Sequence, residues 1–367
     1  METFLTRRRF IAGASCFGAA VALARTIPLP ALAEGIAQDK RVAETALVDR
    51  GFAVVRRIGQ GVYATISDFS KGPQTLCNGG FIFGTEGALL FEGHHQPAGA
   101  QLELEALRMV SKAPVRGALD SHYHFDHSLG NAFYGAQGFP IWAHAKTAPL
   151  MAERYAAIQG QDKTAAFAPF EKAVASATDA VRRQRAEGDL GAFRGLLASV
   201  DGTVVALPNH PLDPGKLPMS VDLGGVKIVI ETYPGHTTTD IILRVPEQNI
   251  VFTGDLLFSG WYPVTFDANM SGWRSTLAKF AAFDKDTLFV PGHGQLCGQE
   301  GIATLRAVMD DIASQAEKFF KAGVPVAEAQ QRYEVPPRFA NFPIYSWAFC
   351  IGAAIAKFYE EWQANKR

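Results

Sequence analysis

Residues 121–131 read Ser121-His122-Tyr123-His124-Phe125-Asp126-His127-Ser128-Leu129-Gly130-Asn131. Three histidines and a carboxylate, His122, His124, Asp126 and His127, crowd into one short loop. Residues 114–119, just before it, read as a short strand leaving an apolar layer. His122 and His124 are two apart, so on an extended backbone both rings point to the same side. Two imidazoles so placed can hold one metal ion. A chain that turns after His124 aims Asp126 and His127 at a second ion close by. The bland alternative is a polar loop that merely contains histidine. The chain has only 9 histidines in 367 residues, so such crowding rarely arises by chance.

Three later words complete the pattern. His236 stands in Tyr233-Pro234-Gly235-His236-Thr237, Asp255 in Phe252-Thr253-Gly254-Asp255, and His293 in Pro291-Gly292-His293-Gly294. Together with the first loop they resemble the metallo-β-lactamase superfamily, over roughly residues 75–300. The resemblance implies an α/β fold, a four-layer αβ/βα sandwich with metal loops along one edge. It implies a first metal site of His122, His124 and His236, and a second of Asp126, His127 and His293. Asp255 would bridge the two ions, and Asp126 is also taken as the catalytic residue. Five imidazoles and two carboxylates favour zinc, with two ions per chain; iron or manganese also suits such donors. Each ion would keep open coordination for a shared hydroxide. The expected reaction is hydrolysis of a carboxylic ester, thioester or related acyl bond of a small-molecule substrate.

Three other functions use the same ligands. One is a class B-like β-lactamase. A second is an oxidoreductase resembling the persulfide dioxygenases, which share the motif and bind a single iron. The third is a metal-binding protein without catalysis. The bridging Asp255 looks like glyoxalase II and its relatives. Leu256, Leu257 and Phe258 stand where lactonases of the family carry a tyrosine, and no basic set for glutathione is evident. The wording around Asp255 and the Trp-containing C-terminus also look like the quinoprotein-relay zinc hydrolases.

Composition adds limits. The chain is 48% hydrophobic and 19% charged with a formal net charge of −1, an ordinary globular balance that does not point to a nucleic-acid partner. Thr6-Arg7-Arg8-Arg9-Phe10-Ile11 looks like a twin-arginine export signal. A short apolar stretch and Ala31-Leu32-Ala33 follow, so cleavage is expected after Ala33, with a periplasmic location and no stable membrane insertion thereafter. An uncleaved anchor is the alternative. Cys77, Cys297 and Cys350 would remain, and one disulfide at most can form among three thiols.

The domain reading is a signal at 1–33, a metallo-β-lactamase-like domain at 34–300, and a helical C-terminal extension at 301–367 packed on it. Strands are expected within 52–64, at 88–91, 141–144, 203–207, 219–223, 226–232, 240–245, 250–253 and 288–290. Each metal residue should sit just past a strand end. A helix is expected at 101–112, with Leu102, Leu104, Leu107, Met109 and Val110 on its apolar face. Another is expected at 272–283, capped by Ser271. Residues 147–200 read as a helical insertion of two or three helices: a lid, an oligomer contact or a solvated hairpin. His94 and His95 read as loop residues without a metal role, and His144 as a strand-end packing residue. Trp261, Tyr262, Phe266 and Trp273 line an apolar substrate pocket or simply pack.

Overall fold

Alternation in the first strands decides which side chains meet which layer. In 79–83, Phe81 goes one way and Ile82 the other; in 88–91, Leu90 opposes Leu89 and Phe91. The computed structural model, which describes residues 39–364, shows why both faces are apolar: the sheet is covered on both sides. Its eight strands lie in chain order: β1 (Val48–Asp49), β2 (Ala53–Gly59), β3 (Val62–Ser67), β4 (Gly79–Phe83), β5 (Ala88–Phe91), β6 (Val115–Leu119), β7 (Ile141–His144) and β8 (His210–Leu212). The pairs from β1 to β5 are antiparallel and those from β5 to β8 parallel.

A second sheet holds β9 (Met219–Asp222), β10 (Lys227–Thr232), β11 (Ile241–Val245), β12 (Ile250–Ser259) and β13 (Leu288–Gly294), in the order β13-β12-β11-β10-β9. Ile82, Leu89 and Phe91 meet Ile228, Ile230 and Phe252 in the core between the sheets, with the Phe91 and Phe252 rings 5.3 Å apart. Each such fully buried side chain contributes about 1.5–3 kcal/mol. Helix α1 (Pro97–Val110) connects β5 to β6, helices α2 (Phe125–Ser128) and α3 (Asn131–Ala136) lie between β6 and β7, and α1 and α3 cover the outer face of the sheet through Leu102, Leu107 and Tyr134. The expected α/β sandwich of two sheets with helices outside is present.

Residues 147–200 form three helices, α4 (Thr147–Gln159), α5 (Lys163–Ala175) and α6 (Ala180–Val200). Asp162 and Asp179 cap the last two by accepting backbone N–H groups. Phe170 stacks on Phe193 at 4.7 Å, and Met151, Tyr155 and Leu197 are buried. The segment has an apolar seam of its own and is more than a solvated hairpin. Helix α7 (Met270–Phe280) and the long α8 (Gln299–Lys321) pack on β12, followed by α9 (Val326–Arg332) and α10 (Ala353–Ala364).

Several expectations shift. No strand forms at 203–207; Val204 is exposed, and pairing waits for β8 at the sheet edge. Pro208 and Pro211 lack the N–H that an earlier or more central pairing would use. Helix α1 starts at Pro97, where a ring-fixed φ suits a first turn, and Met109 points to solvent. Asn269, not Ser271, caps α7, accepting from the Gly272 N–H at 2.8 Å. Strands β12 and β13 run on through Asp255 and His293, so these two lie within irregular strand ends rather than past them. Cys77, Cys297 and Cys350 are free and buried. Among the described residues no helix is long and apolar enough to cross a membrane. The segment expected to act as a twin-arginine signal, with its expected cleavage site, lies outside the described residues.

Candidate metal centre

The seven residues singled out in the sequence converge at one edge of the two sheets. His122 and His124 leave the end of β6, and the turn into α2 presents Asp126 and His127. His236 comes from the loop between β10 and β11, Asp255 from β12 and His293 from β13. The backbone ties these pieces across the sheets. Ile241 N–H donates to the Ser121 carbonyl at 2.8 Å. The Asn78 side-chain amide donates to the carbonyls of Pro291 and Gly294 at 2.9 and 2.8 Å, binding the His293 loop to the first sheet.

Two groups result. The ligand atoms of His122, His124, His236 and Asp255 all lie within 4.8 Å of one another, and so do those of Asp126, His127 and His293. The His122 and His236 rings are 4.8 Å apart, and His236 Nε2 is 2.9 Å from His124 Nδ1. Asp255 stands between the groups. Its Oδ2 is 3.2 Å from His236 Nε2, while its Oδ1 is 3.1 Å from His127 Nε2 and 3.2 Å from His293 Nε2. Asp126 Oδ2 closes the second group, 3.0 Å from His293 Nε2. None of the seven is more than 6% exposed.

His122 Nε2, His127 Nε2 and Asp255 Oδ1 are buried and make no hydrogen bond. Buried polar atoms left so cost about 1–3 kcal/mol each. A cation between them removes that cost, so the residues present fit a pair of metal ions. Electrostatics agree. Burial pushes His236 down to about 3, toward the neutral imidazole that a metal needs. Burial also drives His122 well below its ordinary value, helped by the charges of His127, His124 and His236. Burial alone would lower His293, but the Asp255 and Asp126 carboxylates overcome it and hold it up at about 10. Burial would raise Asp255, yet His293, His127 and His236 keep it well below the usual carboxylate range. A cation taken up there would displace protons from the Asp126–His127–His293 group.

The outward nitrogen of every ring has a neighbour, and here the structure adds residues that sequence reading missed. His122 Nδ1 is 2.9 Å from Ser121 Oγ, and His236 Nδ1 donates to the Val264 carbonyl at 3.0 Å. His293 Nδ1 is 2.9 Å from the Tyr345 hydroxyl, and His124 Nε2 is 3.2 Å from Asp267 Oδ2. His127 Nδ1 is 3.1 Å from Glu92 Oε1. Glu92 takes a left-handed φ of +80°, held there as its Oε2 accepts the Ser121 N–H at 3.1 Å. Such partners fix which nitrogen faces the ion. His94 is buried against Glu103 at 2.8 Å, His95 is outside both groups, and His144 Nδ1 accepts the Lys146 N–H. All four aromatics of the loop are buried; Tyr262 packs away from the centre, while Phe266 lies 5.0 Å from the His124 ring, Trp273 5.4 Å from that of His236 and Trp261 6.4 Å from that of His293.

Comparison with known proteins follows the same line. An uncharacterised protein of Mycobacterium tuberculosis is 39% identical over 82 residues, 20% of this chain and 37% of that protein. A hydroxyacylglutathione hydrolase of Legionella pneumophila is 32% identical over 84 residues, 23% of this chain and 32% of that protein. The alignments thus span about a third of these relatives. Among solved structures, the metallo-β-lactamase FIM-1 from Pseudomonas aeruginosa in its mono-zinc form superposes with a TM-score of 0.50 at 20% identity, covering 72% of this chain and 97% of that one. That likeness is one of fold. The model of the metallo-beta-lactamase superfamily matches residues 72–293, more than half of the chain, and the chain belongs to that superfamily.

Proposed function

We propose that this chain is a metal-dependent hydrolase with two zinc ions, cleaving a carboxylic ester, thioester or related acyl bond. The observation that carries the reading is the position of Asp255, with one oxygen toward each group. His122, His124 and His236 hold one ion in this reading, Asp126, His127 and His293 the other, and Asp255 joins them. When bound, such a pair supplies a hydroxide at neutral pH and polarises the substrate carbonyl. The protein's own part is to keep the His122 and His236 imidazoles neutral, the carboxylates ionised and water scarce around them. Asp126 is the residue we assign to catalysis as well as to binding, since its carboxylate reaches the centre beside His293.

The acyl class rests on two arguments. A carboxylate between the ions adds negative charge where an opened β-lactam would present its anionic nitrogen, which disfavours that substrate. The guanidinium beside the site, on Arg154, is engaged by Asp267 at 2.7 Å rather than offered to a phosphodiester. The Legionella relative is named for hydrolysis of a hydroxyacylglutathione, which supports an acyl substrate.

Elemental analysis of purified protein should return two zinc ions per chain, and Asp255→Ala should lose metal at both groups together with activity. A panel of chromogenic esters, thioesters and nitrocefin then reads the substrate. One iron and no zinc would replace the hydrolase with an oxygenase. Cleavage of nitrocefin with inert esters and thioesters would make the chain a β-lactamase with an unusual carboxylate.

A further inference from the structure

Arg154 ties the helical insertion to the metal centre, beside Tyr155, which packs on Phe125 and lies 3.2 Å from the Ser128 hydroxyl. Arg154, on α4, donates from Nη2 to Asp267 Oδ1 at 2.7 Å. The other oxygen, Oδ2, accepts from the Tyr123 hydroxyl at 2.5 Å and from His124 Nε2 at 3.2 Å. The Arg154 guanidinium also lies over the Tyr123 ring, 5.1 Å from its centre. Residues from three segments far apart in sequence thus meet behind a single imidazole.

His124 differs from its neighbours in which nitrogen faces inward. Its Nδ1 is the atom near His236 Nε2, whereas His122, His127 and His236 present Nε2. An imidazole can offer Nδ1 only when Nε2 carries the proton, and that proton needs an acceptor. Asp267 is that acceptor. A carboxylate alone could swing about its own bond and leave the ring; Arg154 and Tyr123 hold both of its oxygens in place. The guanidinium also offsets the charge that the carboxylate brings to a poorly hydrated site.

We propose that Arg154 and Asp267 are positioning residues that lock His124 in its Nδ1-presenting form, so that the helical insertion sets the metal affinity of the His122–His124–His236 group. The insertion is then a support of the centre. This rests on the dinuclear reading above.

Zinc binding by chelator competition, without substrate, tests it. Asp267→Asn and Arg154→Met should weaken the ion at the three-histidine group by about 10–100-fold. Arg154→Lys, which keeps the charge but not the fork, should recover part of the loss. Arg194→Ala, which removes the exposed pair with Glu171 between α5 and α6, should match wild type and so separates positioning from a general loosening of the insertion. In cobalt-substituted protein the band of the three-histidine group should shift in Asp267→Asn, and that of the other group should not. Wild-type binding constants in Asp267→Asn and Arg154→Met overturn the proposal. Should Arg154→Met fail to fold, unchanged constants in Asp267→Asn and Arg154→Lys overturn it equally. A wild type that binds no zinc removes this proposal and the dinuclear reading together. A wild type that binds zinc but cleaves no acyl bond removes only the reading of the reaction.

Discussion

A Cβ on Gly292 would sit 2.0 Å from Asp255 Oδ1, so the glycine before His293 is there to let the carboxylate of a neighbouring strand approach. Gly254 answers a second demand: its φ is +50° and a Cβ there would meet the Ser121 side chain at 2.5 Å. The words Gly-His and Gly-Asp around the ligands are therefore steric requirements of the centre. Gly292→Ala should still fold, with a loss of about 1–3 kcal/mol from overpacking, but should displace Asp255 and lose zinc. Elemental analysis beside a denaturation curve reads both; full zinc content in a folded variant would refute this account of the glycine. The seven central residues were legible because each sits in a short local word. Their outer partners were not. Asp267 meets His124 across 143 positions and Tyr345 meets His293 across 52, and nothing near either residue advertises the contact.

Elements show the same divide between local and distant causes. Strands with apolar alternation on both faces were readable, because two covered faces leave a dense hydrophobic run. The pairing of 203–207 was not, because β-branched residues there are a local preference that the later prolines override. How α6 meets the C-terminal extension was invisible as well. Asp189 Oδ1 accepts from the Ser346 hydroxyl at 2.6 Å and from the Ala348 N–H at 3.1 Å, and the Arg185 guanidinium lies over the Trp347 ring. Burial pushes the Asp189 carboxyl up to about 6, against those hydrogen bonds. The folded state then holds its proton more tightly than the unfolded chain does. Its contribution to stability is full below the ordinary aspartate value of 3.8 and is lost as pH rises to about 6. The loss is on the order of 1–3 kcal/mol. Asp189→Asn has no such titration. Its stability relative to wild type should climb between those two pH values and stay level above them. Urea denaturation across that range measures the difference, and a flat difference would show that Asp189 is as hydrated when folded as when unfolded.

At the scale of the molecule, the two additions to the sandwich both lean on the centre. The insertion does so through Arg154, and the C-terminal extension through Tyr345, which carries the hydroxyl beside His293 and a ring 4.9 Å from Trp261. The centre is thus assembled from segments between Glu92 and Tyr345, with its ligands almost fully buried. A metal site of that kind takes shape only as the protein folds. We propose that this happens in the cytoplasm and that the folded protein is then exported to the periplasm by the segment around Arg7 and Arg8. The argument is chemical compatibility. A route that carries folded proteins delivers the metal with them, and the three thiols described here are free, so this part of the fold requires no oxidation on arrival. Replacing Arg7 and Arg8 by lysine keeps the charge but alters the fork that a twin-arginine receptor would read. The doubly substituted protein should stay in the cytoplasm, folded and holding zinc. The wild type should be recovered from the periplasm with Glu34 as its first residue. Fractionation and mass spectrometry decide. Periplasmic protein that still begins at Met1 would refute the cleavage, and export of the lysine variant at the wild-type rate would refute the route.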